Sequence, residues 1–140
     1  MKILLAADGS KYTKKALAFV VTNESFCGPG DELIVLNVQS PVPLRVQGML
    51  SGTAIREYYR DEARKVLDPI DKFLKRHKLN FRAVTVVGQP TKEVLAAATR
   101  EKAHLIVMGT HGHGVLGRVV MGSVAQRVVQ DSDIPVLLVK

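Results

Sequence analysis

Glycines are concentrated in one stretch of this sequence, from Gly109 to Gly122, which reads GTHGHGVLGRVVMG and holds five of them. Glycine permits positive φ and lets a ligand approach the main chain closely, and successive exposed N–H groups can surround an anion. Ser123 follows at the predicted start of a helix, where free N–H groups and the helix dipole favour phosphate. The sequence therefore predicts a phosphate-binding loop from Gly109 to Ser123. A valine side chain at Gly109 or Gly122 is expected to block the path of the phosphates and leave the fold largely intact.

Two better-known phosphate loops can be compared with this stretch. The Walker A pattern requires Gly-Lys followed by Ser or Thr, and no such triplet occurs in the chain. Residues 112–117 match G-x-G-x-x-G, but they follow the fourth predicted strand, and the last strand ends in Val139 and Lys140 rather than in an acidic residue. A dinucleotide site is therefore not indicated, and Gly114 and Gly117 are interpreted as a source of flexibility.

The elements that must position this loop alternate along the chain in the order β-α-β-α-β-α-β-α-β. Apolar runs predict strands at residues 3–7, 33–38, 81–87, 105–108 and 135–139, of which the third and the last are expected at sheet edges. Residues 40–52 hold two prolines and two glycines and are predicted to be a loop. The long amphipathic helix that follows contains Pro69, which predicts a kink, and Pro90 is predicted to open the next helix.

Right-handed crossovers turn such an alternation into a parallel sheet. We therefore expect an α/β fold of the Rossmann-like kind, with an open five-stranded parallel sheet in the order 3-2-1-4-5 and helices on both faces. Residues 1–140 are expected to form a single domain. In such folds, ligands bind outside the carboxyl ends of the strands, where the strand order reverses. The turn after the first strand and the glycine loop after the fourth are expected to border one crevice.

Composition limits the class of protein further. Hydrophobic residues make up 46% of the 140 residues, and the single cysteine, Cys27, excludes a disulfide framework within the chain and a cysteine-based zinc site. Asp8 interrupts the N-terminal apolar run, which is therefore too short for the core of a signal peptide. No apolar run approaches the roughly 18 residues that a membrane-spanning helix needs. The net charge is +7, but the basic residues are spread along the chain, and acidic residues interleave with their densest cluster at residues 56–78, which is typical of a solvated helix face. We therefore expect a cytoplasmic protein that binds neither membrane nor nucleic acid.

The glycine stretch resembles the nucleotide signature of the universal stress protein family, G-x2-G-x9-G-[S/T]. Gly109, Gly112, Gly122 and Ser123 match its fixed positions. The resemblance covers the whole chain, because the first strand ends in Asp8, a later strand ends in Leu-Asn-Val at residues 36–38, and the chain closes on the apolar residues 134–139.

The resemblance to the ATP-binding subgroup implies roles for these residues and an adenine-nucleotide-hydrolase-like fold. It implies that the glycine loop and Ser123 hold ribose and phosphates, that residues 6–8 lie by the adenine and ribose, and that Val38 contacts the adenine. The ligand-binding residues expected on this basis are Ala6, Ala7, Asp8, Val38, Met108, Gly109, His111, Gly112, His113, Gly114, Val115, Gly122, Ser123, Val124 and Ala125. The family often has Pro-Thr-Asp where this chain has Ala-Ala-Asp at residues 6–8, and a bulkier residue in place of Gly9, which could alter the fit around the base.

The resemblance also implies the ligand and the partner. The ligand is ATP with Mg²⁺, the partner is a second copy bound through the strand Pro135 to Val139, and the role is regulation in stress adaptation. An apolar strand at a sheet edge would favour such pairing. Two alternatives remain, a weak ATPase or adenine-nucleotide hydrolase and a nucleotide-free dimeric interaction module.

Other residues that could do chemistry give weaker indications. Asp8 could bind ribose or a metal-bound water, or it could cap the first helix together with Ser10. His111 and His113 lack a third metal ligand nearby in the sequence, so no protein-bound metal is expected. No nucleophile–base pair is recognisable, and no catalytic residue is predicted. ATP hydrolysis is expected only as a slow side activity.

Overall fold

The structure, a computed structural model, describes residues 1–112 and 121–140. The described elements in chain order are β1 Lys2–Ala6, α1 Lys11–Thr22, β2 Glu32–Gln39, α2 Leu44–Gln47, α3 Gly52–Arg76, β3 Phe81–Val87, α4 Pro90–Arg100, β4 Leu105–Gly109, α5 Ser123–Asp131 and β5 Val136–Val139. Their alternation matches the sequence prediction, with α2 added.

The five strands form one parallel sheet in the order β3-β2-β1-β4-β5, as predicted. In the centre of the sheet, Leu4 pairs in register with Ile34 on one side and with Ile106 on the other. All three side chains are fully buried. β1 is apolar at every central position because helices cover both faces of the sheet, so neither face offers water to a polar side chain.

The helices lie on both faces, which also confirms the prediction. On one face, α1 and α3 pack over a core that includes Leu5, Leu17 and Leu74. On the other face, α4 and α5 pack over a core that includes Leu36 and Ile106. The strand order reverses between β1 and β4, so the carboxyl ends of these neighbouring strands border a crevice.

Residues 40–52 and two prolines show which details of the helices the local sequence predicts. The predicted loop at residues 40–52 contains the short helix α2, so the prediction of an uninterrupted loop was wrong. Proline and glycine spacing did not reveal α2 because the helix has a single turn. Pro90 occupies the first turn of α4 as expected. The helix α3 continues through Pro69, and the kink at Pro69 remains a prediction. Among the described residues, no helix combines the length and the apolar character that a membrane crossing would require.

Candidate functional site

A cavity of about 380 Å³ opens at the carboxyl ends of β1, β2 and β4. The first turn of α5 and the start of α4 close its sides. Of the residues expected to bind a ligand, those that line it are Ala6, Ala7, Asp8, Val38, Met108, Gly109, His111, Gly112, Gly122, Ser123, Val124 and Ala125. The fold thus brings together residues that are more than 100 positions apart in the chain. His113, Gly114 and Val115 lie outside the described residues.

Five further residues line the cavity and were missed by the sequence reasoning. They are Thr13, Leu36, Ser40, Pro90 and Val94. The period of two along a strand would have found Leu36, which shares a face with Val38. No pattern in the sequence marks the start of α4 as part of a binding site. Pro90 and Val94 reach the cavity only because their helix packs on the sheet.

Asp8 holds the turn between β1 and α1. Its Oδ1 accepts hydrogen bonds from the backbone N–H of Ser10 at 2.9 Å and from Thr13 Oγ1 at 2.8 Å. Ser10 is the N-cap of α1, and its hydroxyl accepts from the Thr13 N–H. Gly9 between them has φ +81°, a conformation that other residues adopt only with strain. The structure therefore contains the capping arrangement, and Asp8 also lines the cavity, so one residue can serve both roles.

Asn37 fixes the end of β1 against β2. Its Nδ2 donates to the carbonyl of Ala7 at 3.0 Å, and the Ala7 N–H donates to the carbonyl of Leu36 at 2.8 Å. Asn37 is buried, and this hydrogen bond satisfies its Nδ2, whereas its Oδ1 has no hydrogen-bond partner among the described residues. The pairing extends beyond the last residue of β1 and sets the position of Ala7 at the cavity wall.

Both ends of the glycine stretch are tied to the sheet through Thr110. The Thr110 N–H donates to the carbonyl of Val139 in β5 at 3.0 Å, and the Thr110 carbonyl accepts from the Gly122 N–H at 2.7 Å. The second bond brings residue 122 back beside residue 110. The start of α5 is thereby placed next to the end of β4.

His111 and Tyr12 join the loop to α1. Their ring centroids are 4.8 Å apart, and His111 Nδ1 lies 2.8 Å from Thr110 Oγ1. The ammonium groups of Lys11 and Lys15 lie 5.2 and 5.5 Å from the Tyr12 ring centroid, within the range of cation–π attraction. The start of α1 thus places positive charge near the loop. Among the described residues, no three His, Cys, Asp or Glu side chains converge on a point where a metal ion could bind.

The structure changes the explanation of the signature glycines, Gly109, Gly112 and Gly122. The glycines with positive φ in the described part of the chain are Gly9 and Gly30, so Gly109, Gly112 and Gly122 are not there to supply that conformation. A Cβ at Gly109 would stand 2.4 Å from Tyr12 Cβ, where it would meet α1 rather than the path of a phosphate.

The other two signature glycines also lie against protein atoms, Gly112 nearly as closely and Gly122 less closely. A Cβ at Gly112 would stand 2.6 Å from Asp8 Oδ2, and one at Gly122 would stand 3.3 Å from His111 Cα. Close packing of the loop against α1, the β1–α1 turn and itself therefore accounts for all three glycines. The expectation that a valine at Gly109 leaves the fold intact does not agree with this geometry.

Comparison with known proteins gives the family. The family model described as "Universal stress protein family" matches residues 1–140, and the chain belongs to that family. It is 36% identical over 147 residues to a universal stress protein of Thermus aquaticus, covering 99% of this chain and 97% of that protein. It is 31% identical over 140 residues to the universal stress protein MJ0531 of Methanocaldococcus jannaschii, covering 99% of this chain and 81% of that one. The solved structure of MJ0577 from the same organism superposes with a TM-score of 0.84 at 30% identity, covering 99% of this chain and 94% of that chain.

Proposed function

We propose that this chain binds an adenine nucleotide, ATP with Mg²⁺, in the 380 Å³ cavity, and that it acts as an ATP-binding regulatory protein of stress adaptation. One observation carries the proposal: apolar strand ends and the N-terminal turn of a nine-residue helix face the same cavity. A flat apolar base and a chain of phosphates need those two kinds of surface side by side.

The base would bind at the apolar side of the cavity. Ala6, Leu36, Val38 and Met108 line that side from three adjacent strands, and Val94 lines it from α4. The alanine at residue 6 leaves more room than the proline that is frequent in the family. Asp8, at the end of β1, is the carboxylate that could accept hydrogen bonds from ribose hydroxyls.

The phosphates would bind at the first turn of α5. The first helical hydrogen bond there runs from the Gln126 N–H to the Gly122 carbonyl, so the N–H groups of Ser123, Val124 and Ala125 precede the helical ladder. The helix dipole adds positive potential at this end, and the Ser123 hydroxyl is an additional donor. Each hydrogen bond to a charged oxygen contributes on the order of 1.5–3 kcal/mol, so a few of them could give micromolar affinity, ~8 kcal/mol.

Mg²⁺ would enter the site with the triphosphate, whose charge it neutralises. The described lining of the cavity offers one carboxylate, Asp8. Its Oδ1 already accepts two hydrogen bonds, which fits an indirect contact through a metal-bound water better than a direct ligand. The phosphates themselves would supply the principal oxygen ligands.

Structures of the same fold are consistent with an adenine nucleotide. A universal stress protein with a TM-score of 0.72 and 21% identity has been solved in complex with cAMP. One from Archaeoglobus fulgidus, with a TM-score of 0.71 and 20% identity, has been solved in complex with dAMP. At these identities the likeness carries the fold alone, so the choice of ligand for this chain rests on the cavity.

Calorimetry on a matched pair of variants tests the proposal. Val38 and Val86 are partners in register on neighbouring strands and both are half-buried, but only Val38 lines the cavity. Val38→Phe should fill the space for the base and weaken ATP binding at least tenfold. Val86→Phe should leave the affinity near that of the wild type.

Two results would count against this assignment. If the wild type binds tripolyphosphate as tightly as ATP, the base does not contribute and the site is not an adenine site. If Val38→Phe binds ATP as tightly as the wild type, the nucleotide lies elsewhere. Mass spectrometry of small molecules released from freshly purified protein would identify the nucleotide retained from the cell.

The proposal includes a homodimer and a cytoplasmic location. β5 pairs with β4 and forms one edge of the described sheet. Its residues Val136–Val139 are apolar and only half-buried. An apolar edge strand of this kind is a template for pairing with another strand, and a second copy offers the same strand. Both the dimer through Pro135 to Val139 and the cytoplasmic location remain predictions.

A further inference from the structure

A second cavity lies on the face of the sheet that α1 and α3 cover. α1 packs over β4 and β5, whereas α3 packs over β2 and β3, so the two helices leave space between them above β1. The space encloses about 470 Å³ and is called the α1–α3 groove below. The residues that line it are Gly9, Thr13, Lys14, Leu17, Lys65, Val66, Pro69, Ile70, Phe73 and Arg76.

The floor of the groove is apolar. Leu17 and Ile70 are buried there, and Val66 and Phe73 are half-buried. Aliphatic and aromatic carbon from both helices therefore faces the same opening. A ligand that rested on this floor would remove from water chiefly the exposed carbon of Val66 and Phe73, and removal of apolar surface from water is the main driving force for binding an apolar chain.

The rim of the groove is cationic. Lys14, Lys65 and Arg76 line it, and the lining contains no acidic residue. Lys65 forms an ion pair with Glu62 at 2.7 Å, whereas Lys14 and Arg76 take part in no ion pair within residues 1–112 and 121–140. The electrostatic complement of this rim is an anion.

The size of the groove favours a small ligand over a protein. Its volume falls within the range of roughly 300–1,000 Å³ that is common for small-molecule sites. A stable protein–protein interface engages about 20–30 residues on each side, many more than line this groove. An acidic protein helix would therefore leave most of its contact surface without a partner here.

From these features we propose that the α1–α3 groove binds an amphipathic anion, specifically a fatty acid. Its chain would lie along Val66 and Phe73, over the buried Leu17 and Ile70, and its carboxylate would face Lys14 and Lys65. Lys14 in the first turns of α1 and Lys65 near the middle of α3 line the same groove, so one carboxylate can face both. From Lys65 to Phe73 the helix rises about 12 Å at 1.5 Å per residue, which is comparable to the length of an extended dodecanoate chain, so the chain would run from the two lysines to the ring of Phe73.

Titration with dodecanoate below its micelle concentration, followed by methyl and amide NMR, tests the proposal. Shifts are expected to concentrate at Leu17, Val66, Ile70 and their neighbours. The variant Lys14→Gln with Lys65→Gln should weaken dodecanoate binding about tenfold, because two exposed cations each contribute at most a few-fold. Lys72→Gln, an exposed lysine of α3 outside the lining, is the matched control and should bind as the wild type does.

Several results would overturn the proposal. Equal affinities of dodecanol and dodecanoate would show that the rim does not select an anion. An unchanged dodecanoate affinity in the variant that combines Lys14→Gln with Lys65→Gln would also show that the rim does not select an anion. Loss of dodecanoate binding in Val38→Phe would place the ligand in the first cavity. Protection of the groove from solvent without any ligand, with no shifts on titration, would indicate that a second copy covers it.

Discussion

Gly112 lies directly against the carboxylate of Asp8: a Cβ on Gly112 would stand 2.6 Å from Asp8 Oδ2. The signature loop and the β1–α1 turn are therefore in contact before any ligand is bound. Asp8 is in turn fixed by Ser10 and Thr13. Gly112 therefore packs against a carboxylate that belongs to the cap of α1, beside the contacts that Gly109 and His111 make with Tyr12.

The contact between Gly112 and Asp8 can be measured by a double-mutant cycle. Gly112→Ala should lower the free energy of unfolding by about 1–3 kcal/mol, the usual cost of overpacking, because the methyl group displaces a carboxylate that is held by two hydrogen bonds. In the background of Asp8→Ala the same change should cost much less, since the colliding oxygen is gone. Urea denaturation of the four proteins gives the coupling energy.

Gly48→Ala is the control for that cycle. The nearest atom to a Cβ at Gly48 lies at 3.7 Å, an ordinary contact, so this alanine should leave the unfolding free energy nearly unchanged. Equal costs for Gly112→Ala with and without Asp8 would show that the two residues do not interact energetically.

Gly109 should behave as a packing residue. Gly109→Ala is expected to lower the melting temperature by several degrees, because a Cβ 2.4 Å from Tyr12 Cβ forces α1 away from β4. Circular dichroism melting with and without ATP separates the two explanations. A normal melting temperature combined with lost ATP binding would favour the blocked phosphate path instead.

Ser123 should contribute to phosphate binding and little to stability. Ser123→Ala removes one hydroxyl donor, and the expected loss of ATP affinity is about tenfold, which corresponds to ~1.4 kcal/mol. Alanine is a good helix former and Ser123 is exposed, so the melting temperature should stay within a degree or two. Ser25→Ala, at another exposed serine, is the control. Calorimetry that shows equal ATP affinity for Ser123→Ala and Ser25→Ala would remove the hydroxyl from the site.

The ion pairs at the β3 edge predict a pH dependence of stability. Arg82 hydrogen-bonds Glu101 and also Glu32, and the contact with Arg82 lowers the pKa of the Glu101 carboxyl below its ordinary 4.5. A lowered carboxyl pKa stabilises the fold above that ordinary value, and the stabilisation is lost as the pH falls through the lowered pKa. Arg82→Met should therefore cost at most about 1 kcal/mol at pH 7, because the pair is partly exposed.

At pH values below the lowered pKa of Glu101, the difference between Arg82→Met and the wild type should shrink toward zero. Lys92→Met, at an exposed lysine of α4, controls for loss of a positive charge. Urea denaturation at a series of pH values makes the comparison. A difference that does not change with pH would mean that Arg82 acts through packing of its side chain.

The homodimer can be tested at the backbone of β5. The carbonyls of Pro135 and Val139 accept hydrogen bonds from β4 and the residue after it. Backbone groups alternate in direction along a strand, so those of Leu138 point toward the free edge. Leu138→Pro removes an outward N–H donor without removing a bond to β4, and it should convert a dimer to a monomer in light scattering.

Leu138→Val controls for the shortened side chain and should keep the dimer. A wild type that is monomeric at micromolar concentration would remove the proposed interface altogether. A dimer that survives Leu138→Pro would move the interface away from the β5 edge.

Much of this architecture follows from local patterns in the sequence. A continuous apolar run such as residues 3–7 is shielded from water on both sides only in a sheet that is covered on both faces. Right-handed crossovers then restrict how such strands are arranged. The position of Ser123 at a helix start was also predictable, because Gly122 precedes a helical pattern. The helix α2 was not, since a single turn of helix leaves almost no periodic signal.

The sequence by itself determined the order of the strands and of every helix except α2, the family signature and the residues at the ends of β1 and β4. Only the tertiary structure decided what the signature glycines do. Gly109, Gly112 and Gly122 each lack a side chain because atoms of Tyr12, Asp8 and His111 occupy the adjoining space. Those neighbours lie far away in sequence or across a loop, so no local pattern could have identified them. Close packing between distant segments is set by the folded arrangement as a whole.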